Sequence, residues 1–217
     1  MARARELPNP EGAEGFVPKS RDLRKLATAA RECRGCDLWK DATQTVFGEG
    51  PRRARAVFVG EQPGDQEDRQ GHPFVGPAGR VFDDALERAG IDRDSVYVTN
   101  AVKHFKWKAE GKRRIHDRAS RWQIVACRTW VLAELRALEP RLVVVLGAVA
   151  ASSLLGPDFR VTQHRGQVTE GPLGGSVLAT VHPSSILRGL RRDRDARLQE
   201  FVDDLRAAKS FLEADAR

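Results

Sequence analysis

Residues 142–146 read Leu142-Val143-Val144-Val145-Leu146, an uninterrupted apolar run. Because no polar residue alternates with the apolar ones, the run indicates a strand that is buried on both faces, as in a parallel sheet. A segment of small residues that starts at Ala148 follows at once and is typical of a helix. A buried strand that leads directly into a helix is the repeating unit of an α/β fold, so this stretch decides the fold class.

Further strands and helices alternate on both sides of this run. We predict strands at 56–59, 96–99 and 177–181, and helices at 21–32 (capped by Ser20), 77–89, 120–138 and 193–213. The alternation predicts an α/β fold of three α/β/α layers with a central four-stranded parallel sheet. Residues 1–18 contain three prolines and two glycines and are expected to form a flexible leader, so that 19–217 form a single domain.

Basic residues are concentrated in one short stretch of the chain. The whole chain carries a net charge of +7, and residues 101–121 contain eight basic residues against two acidic ones. Phe105 and Trp107 lie within this stretch. Because basic groups neutralise phosphates and aromatic rings stack on bases, the pattern favours a nucleic-acid partner. A solvated loop without a partner is the alternative.

Composition also indicates where such a chain would work. No apolar run approaches the roughly 20 residues of a membrane span, and the N-terminus has no secretory signal, so we expect no membrane association. The three cysteines, an odd number, argue against a disulfide framework. A reduced, cytoplasmic setting fits these features best.

Polar segments follow three of the predicted strands. They are Gly60-Glu61-Gln62-Pro63-Gly64, Asn100-Ala101-Val102-Lys103 and His182-Pro183-Ser184-Ser185. The carboxyl ends of parallel strands meet at one edge of a sheet, where ligands bind in α/β folds. We therefore expect the three segments to form one site; ordinary turn chemistry is the alternative.

These segments carry a family resemblance. Together with Pro73-Phe74-Val75-Gly76-Pro77-Ala78-Gly79, they resemble the successive motifs of the family 4 uracil-DNA glycosylases over roughly residues 20–210. Within that family, Lys112-Arg113-Arg114-Ile115-His116 is similar to the distinguishing loop of the UdgX proteins, which form a covalent adduct with uracil-containing DNA. The resemblance implies a DNA-repair enzyme with a parallel sheet between helices.

The resemblance also implies roles in uracil recognition. A base inside a duplex is out of reach, so the nucleotide must be flipped out or lie in a single strand. Phe74 would stack on the uracil, and Asn100 would donate to O4 and accept from N3–H, a pattern that cytosine cannot match. Gln62 and Asp65 are further candidates for uracil binding. The alternative for Phe74 is an ordinary core residue.

Two other candidates would act on the bond between C1′ and N1. His182 would donate to uracil O2 as negative charge develops there, and Glu61 would stabilise the positive sugar or activate a water. The alternative for His182 is a turn residue. Lys112, Arg113, Arg114, Ser184 and Arg188 are expected to contact the DNA. We expect single-stranded DNA to be preferred and the chain to be a monomer.

His116 is the candidate nucleophile. A neutral imidazole can attack an electron-poor C1′, and the neighbouring arginines favour the neutral form. The link has no easy second step, so the protein would be consumed, and Glu61 would accept or orient the imidazole proton. A conventional multiple-turnover glycosylase and a non-catalytic module that binds uracil-containing DNA are the alternative functions. A loop histidine that only contacts phosphate is the alternative role.

A metal centre is predicted near the N-terminus. Cys33-x-x-Cys36 has the spacing at which two thiolates reach one metal centre. The resemblance implies a [4Fe–4S] cluster, with His104 at the position where most family 4 sequences have a third cysteine, and with Cys127 as the fourth ligand. The UdgX proteins also have histidine there. A structural zinc and unligated buried cysteines remain open as alternatives.

Overall fold

Strands and helices alternate along the chain in this computed structural model, which describes residues 12–171 and 174–214. In chain order, the strands are β1 (Ala56–Gly60), β2 (Tyr97–Asn100), β3 (Trp107–Glu110), β4 (Arg113–His116), β5 (Leu142–Leu146), β6 (Val168–Glu170) and β7 (Ser176–Thr180). The helices are α1 (Leu23–Ala30), α2 (Asp65–Gln70), α3 (Pro77–Ala89), α4 (Arg121–Leu138), α5 (Gly147–Leu155), α6 (Val161–His164), α7 (Pro183–Arg188) and α8 (Arg194–Ala214).

The central sheet has five strands in the order β2-β1-β5-β7-β6. The first four strands are parallel, whereas β6 pairs with β7 in the antiparallel sense. The predicted α/β fold is confirmed, but the predicted count of four strands is wrong. The sequence Val168-Thr169-Glu170 is too short and too polar to be recognised as a strand, and its pairing with β7 supplies the missing edge.

Helices cover both faces of the sheet, as the uninterrupted apolar strands require. On one face, Phe58 of β1 packs in a core with residues of α3 and α8. On the other face, Val57 and Val59 pack with residues of α4 and α5. Successive residues of β1 thus point into different cores, and the carboxyl ends of the strands are left free to carry the polar segments.

Local signals fix where two helices begin. Ser120 caps α4: its hydroxyl accepts from the Gln123 amide, and the Gln123 side chain accepts from the Ser120 N–H. At α1 the side chain of Asp22, rather than Ser20, accepts from the Arg24 and Lys25 amides. The helix therefore begins at Leu23, two residues later than predicted.

The basic stretch contains a β-hairpin that the sequence did not predict. Strands β3 and β4 pair in the antiparallel sense, with Trp107 opposite His116. Gly111 turns the chain with a φ of 60°, a conformation that favours glycine. The hairpin lies between β2 and α4 in the chain and forms a separate two-stranded sheet.

The predicted leader is described only in part, because residues 1–11 lie outside the described residues. Within 12–18, Glu14–Phe16 form one turn of 3-10 helix. Ala13 is buried and donates its N–H to the Ala126 carbonyl of α4 at 3.1 Å. In the described part of the chain, no helix combines the length and apolar character that a membrane span needs.

Candidate active site

A cavity of about 680 Å³ opens at the carboxyl ends of β1, β2 and β7. Eleven of the residues predicted to act on uracil or DNA line it, namely Glu61, Gln62, Asp65, Phe74, Asn100, Arg113, Arg114, His116, His182, Ser184 and Arg188. Lys112 does not line the cavity and is exposed at the turn of the hairpin. The structure therefore brings the three polar segments together with the hairpin that carries His116.

The floor of the cavity is a slot between an aromatic ring and an amide. Phe74 and Asn100 are both buried, and no described residue hydrogen-bonds to the Asn100 side chain. Gly60 lies between them: a Cβ there would lie 2.3 Å from Asn100 Oδ1 and 2.7 Å from Phe74 Cζ. Phe74 has a positive φ of 59°, and Gly79 makes this possible because a Cβ at Gly79 would lie 1.7 Å from the Phe74 oxygen.

His182 is held as a neutral imidazole with its proton on Nε2. It caps α7, and its Nδ1 accepts from the Ser184 N–H at 3.2 Å and lies 2.8 Å from Ser184 Oγ. Since a backbone N–H can only donate, Nδ1 carries the lone pair. Burial, assisted by the positive charge of Arg188, lowers the pKa of His182 to about 4. The side chain can therefore offer an N–H to an acceptor without carrying charge.

The other histidine, His116, has the opposite arrangement. The Nε2 amide nitrogen of the buried Gln62 donates to the carbonyls of Lys106 at 3.1 Å and Asp117 at 3.0 Å. These bonds settle which end of the amide is the nitrogen. An amide nitrogen cannot accept a hydrogen bond, so Gln62 Nε2 presents no acceptor to His116 Nε2, which lies 3.0 Å away. His116 Nε2 therefore carries a lone pair. Glu61 Oε1 lies 4.0 Å from it.

Arg114 attaches the hairpin to α2. Its Nε donates to Asp65 at 2.6 Å, and its Nη1 donates to Asp68 at 2.7 Å. Burial opposes ionisation of Asp65, but hydrogen bonds from Arg69 and Arg114 lower its pKa. The guanidinium of Arg114 also lies 5.5 Å from the Trp107 ring centre. The sequence suggested Arg114 for DNA contact, but its guanidinium is paired with two carboxylates. These pairs hold the hairpin against α2.

Sequence reasoning missed Glu67. This buried side chain accepts from the Gly64 N–H at 3.1 Å and from the Gly76 N–H at 2.8 Å. It therefore joins the loop after β1 to the loop that carries Phe74. A glutamate in the first turn of a helix is an ordinary helix signal, so nothing in the sequence distinguished Glu67 from a surface residue.

A buried ion pair lies behind Asn100. Lys103 Nζ pairs with Glu134 and also donates to the Asn100 carbonyl at 2.9 Å. Glu134 additionally accepts from the Tyr97 hydroxyl at 3.0 Å. Tyr97 does not line the cavity. The network supports the strand end that positions Asn100 and does not contact the slot.

The four predicted metal ligands share one core. Cys33, Cys36, His104 and Cys127 are all buried. Cys33 Sγ accepts from the Trp130 indole N–H at 3.2 Å, and Cys127 Sγ accepts from the Lys103 amide at 3.3 Å. Burial raises the pKa of Cys36 to about 11 and that of Cys127 to about 12. Three buried sulfurs, each with an N–H donor, and one imidazole are suitable ligands for a cationic centre.

The donor types suit more than one kind of metal centre. Three thiolates and one imidazole occur in tetrahedral zinc sites, and histidine can also replace cysteine as a ligand of an iron–sulfur cluster. Among the described residues, no group of three or more His, Cys, Asp or Glu side chains is arranged to hold one metal ion.

Comparisons with known proteins agree with this geometry. The Uracil DNA glycosylase superfamily matches residues 47–206. The chain is 36% identical to the type-4 uracil-DNA glycosylase of Thermotoga maritima over 86% of this chain and 93% of that protein. It is 33% identical to the type-4 uracil-DNA glycosylase of Pyrobaculum aerophilum over 85% and 91%, and 35% identical to that of Archaeoglobus fulgidus over 76% and 83%.

Proposed function

The chain belongs to the uracil-DNA glycosylase superfamily, and we propose that it excises uracil from DNA and then becomes covalently joined to the deoxyribose through His116. The observation that carries the second step is the position of His116 Nε2 on the cavity wall, 3.0 Å from an amide nitrogen that cannot accept a hydrogen bond. The proposed substrate is uracil-containing DNA, with single strands preferred because no base pair has to be opened.

Recognition of the base follows from the slot. Phe74 provides the stacking face, and the free Asn100 amide can pair with O4 and N3–H of uracil. Gln62 and Asp65 line the same cavity, but their polar groups already have partners. Gln62 donates to two backbone carbonyls, and the Asp65 carboxylate accepts from Arg69 and Arg114. We therefore assign these two residues to support of the hairpin, with Phe74 and Asn100 as the principal contacts of the base.

Departure of the base follows from the state of His182. When the bond from C1′ to N1 breaks, its electron pair stays on uracil, and the neutral Nε2–H of His182 donates to the developing negative charge. The sugar becomes oxocarbenium-like and positive. The Glu61 carboxylate lies on the same wall as His116 and stabilises that positive charge.

Capture of the sugar follows from the lone pair on His116 Nε2. This lone pair forms the new bond to C1′, and the proton on Nδ1 is then lost to solvent or to the uracil anion, so that a neutral substituted imidazole remains. The link from C1′ to a neutral imidazole has no easy second step. The adduct is therefore expected to be stable, and each protein molecule to act once.

Cys33, Cys36, His104 and Cys127 are the residues that would hold a [4Fe–4S] cluster, and we propose that they do. The cluster would supply a structural crosslink between the segment after α1, the segment after β2 and α4. Iron analysis and an absorption band near 400 nm in aerobically purified protein would support it. Stoichiometric zinc without iron would overturn it.

A denaturing gel tests the proposed function. The protein is mixed with single-stranded DNA that contains one uracil, and a shifted band that survives boiling in detergent is the expected result. Free uracil without a shift would instead indicate a conventional multiple-turnover glycosylase. Retention on a native gel with neither product would indicate a non-catalytic binding module.

His116→Ser is the matched variant for this gel. It should abolish the shifted band, and uracil release should continue if water reaches C1′ in place of the imidazole. Arg118→Ser, on the same segment but not lining the cavity, is the control and should still form the adduct. A persistent shift in His116→Ser would contradict the assignment of the nucleophile.

A further inference from the structure

Thr45 lies beside the proposed cluster ligand His104 and is half-buried. Its Oγ1 is 2.9 Å from His104 Nε2 and 3.0 Å from the carbonyl oxygen of Ala30. The contact spans 59 positions in the chain. Neither the metal-site motif nor the uracil motifs include this threonine, and the proposed chemistry gives it no role.

The two contacts of Thr45 determine the direction of both hydrogen bonds. A carbonyl oxygen can only accept, so the single hydroxyl hydrogen of Thr45 is donated to Ala30. The hydroxyl oxygen must then accept from His104, and Nε2 of that imidazole carries the hydrogen. A neutral imidazole has one N–H, so Nδ1 carries the lone pair.

We propose that Thr45 selects the nitrogen through which His104 binds the cluster: Thr45 holds Nε2–H, and Nδ1 is the ligand. Metal-bound histidines commonly donate their second N–H to a fixed acceptor, which sets the tautomer and the orientation of the ring. This inference rests on the proposed cluster and does not depend on the proposed adduct.

The acceptor itself is part of the same structure. Ala30 ends α1, where backbone carbonyls lack partners within the helix. Its oxygen accepts from Thr45 and also from the amide of Cys33 at 3.1 Å. A continuous set of hydrogen bonds therefore links His104, Thr45, Ala30 and Cys33, and Thr45 joins two proposed ligands that come from distant parts of the chain.

The threonine is held in place without its hydroxyl. The next residue, Val46, is buried and donates its backbone N–H to the Lys103 carbonyl at 2.8 Å. This bond fixes the segment beside His104, so Thr45→Val should fold and keep its position. The variant nearly preserves the shape of the side chain. It removes the acceptor for Nε2–H and also the donor to the Ala30 carbonyl, which keeps its bond from the Cys33 amide.

Isotope labelling tests the assignment in the unmodified protein. The holoprotein is prepared with histidine labelled with 15N at Nδ1 or at Nε2, its cluster is reduced, and nitrogen hyperfine couplings are measured by pulsed electron paramagnetic resonance. We expect the strong hyperfine coupling to change from a 14N to a 15N pattern only in protein labelled at Nδ1. His104→Cys should lose the strong nitrogen coupling, which confirms its source. A strong coupling that follows the Nε2 label would overturn the inference.

Variants test the role of the hydroxyl. Iron release to a chelator should be about 10–100-fold faster in Thr45→Val than in the unmodified protein, as for other partners of metal-bound histidines. Thr45→Ser keeps a hydroxyl and should release iron at the original rate. Thr169→Val makes the same change on the exposed edge strand β6 and is the control. Equal rates in Thr45→Val and Thr169→Val would contradict the role of Thr45.

Failure of this inference is distinguishable from failure of the proposed function. Protein without iron would overturn the cluster and Thr45 together, whatever its activity. Protein with the Nδ1 coupling but without uracil excision would leave the inference intact and contradict the proposed function alone.

Discussion

The two histidines of the cavity differ in which nitrogen carries the proton, and their neighbours account for the difference. His182 Nδ1 accepts from the Ser184 N–H, which leaves a donor at Nε2. His116 Nε2 faces the Gln62 amide nitrogen, which cannot accept a hydrogen bond, so this imidazole nitrogen keeps its lone pair. A donor for the departing base and an electron pair for the sugar are the two functions that the proposed chemistry requires. One cavity thus holds two imidazoles in complementary states.

The neutral state of His182 can be tested by titration. Because burial disfavours the charged form, its pKa lies near 4 instead of 6.5, so protonation occurs only as the pH falls through about 4. In 15N-detected NMR, His182 should remain an Nε2–H tautomer from about pH 8 to about pH 5. A titration midpoint near 6.5, or a proton on Nδ1 in that range, would contradict the assignment.

Gly60 is predicted to be intolerant of any side chain. In Gly60→Ala the new methyl group would lie within 2.7 Å of both Asn100 and Phe74. We expect the single-turnover rate of uracil release to fall by about 100-fold or more, because small displacements of positioning groups have effects of this size. Gly15→Ala, where nothing lies within 4 Å, is the control and should react normally. Normal uracil release by Gly60→Ala would show that the slot is not the base site.

Which residues line the cavity could be predicted from the sequence, but which of their nitrogens carry hydrogen could not. Glu61, Asn100 and His182 lie at or just after the ends of buried strands, and parallel strands bring such residues to one edge. The proton positions depend on Gln62, Ser184 and Thr45, whose contacts exist only once the chain has folded. Local sequence carries no record of these partners.

At the scale of elements, the β3–β4 hairpin distinguishes this site from a bare sheet edge. It is exposed on one side and is joined to the domain by side chains: Trp107 donates to the Asp41 carbonyl at 2.8 Å, and Arg114 binds Asp65 and Asp68. Most residues of the hairpin are charged or polar. Its strands therefore lack the alternation of apolar and polar residues that predicts a strand from sequence. The long helix α4, with a capping Ser120 and an apolar face, was predicted within one residue at each end.

Arg114 should affect the adduct more than it affects excision. In Arg114→Gln, the hairpin loses its bonds to both carboxylates, and His116 is no longer held beside the slot. Phe74, Asn100 and His182 do not belong to the hairpin and should still act on the base. We expect the rate of adduct formation to fall about 10–100-fold while uracil release persists.

Arg113→Gln is the matched comparison for this prediction. Arg113 is exposed and lies 3.7 Å from Glu110, so its substitution should leave the hairpin in place and weaken DNA binding mainly at low salt. Equal loss of adduct in both variants would indicate that charge, and not the attachment of the hairpin, is what matters.

For the whole molecule, the described part of the predicted leader packs against the core. Ala13 is 1% exposed, and Phe16 and Val17 pack against the core that contains Cys33, Cys36 and Cys127. Gly35 makes room for this segment, since a Cβ there would lie 2.5 Å from Ala13 Cα. Prolines and glycines predicted a flexible segment, but these contacts with a distant helix are not visible in local composition.

Truncation tests where the domain begins. A chain that starts at residue 19 should melt about 5 °C lower than one that starts at residue 12, which corresponds to roughly 2 kcal/mol for a chain of this length. The physical reason is that the Ala13 pocket on α4 and Gly35 becomes exposed to water. Melting can be followed by circular dichroism. Equal melting temperatures would support residue 19 as the start of the domain.

Mass spectrometry of the adduct shows directly whether His116 forms the bond to C1′. The adduct with a single-stranded, uracil-containing oligonucleotide is digested with nuclease and protease, and the modified peptide is sequenced by fragmentation. We expect a deoxyribose attached to His116, with one free uracil released for each adduct. A sugar attached to any other residue, or an adduct that still contains uracil, would contradict His116 as the nucleophile.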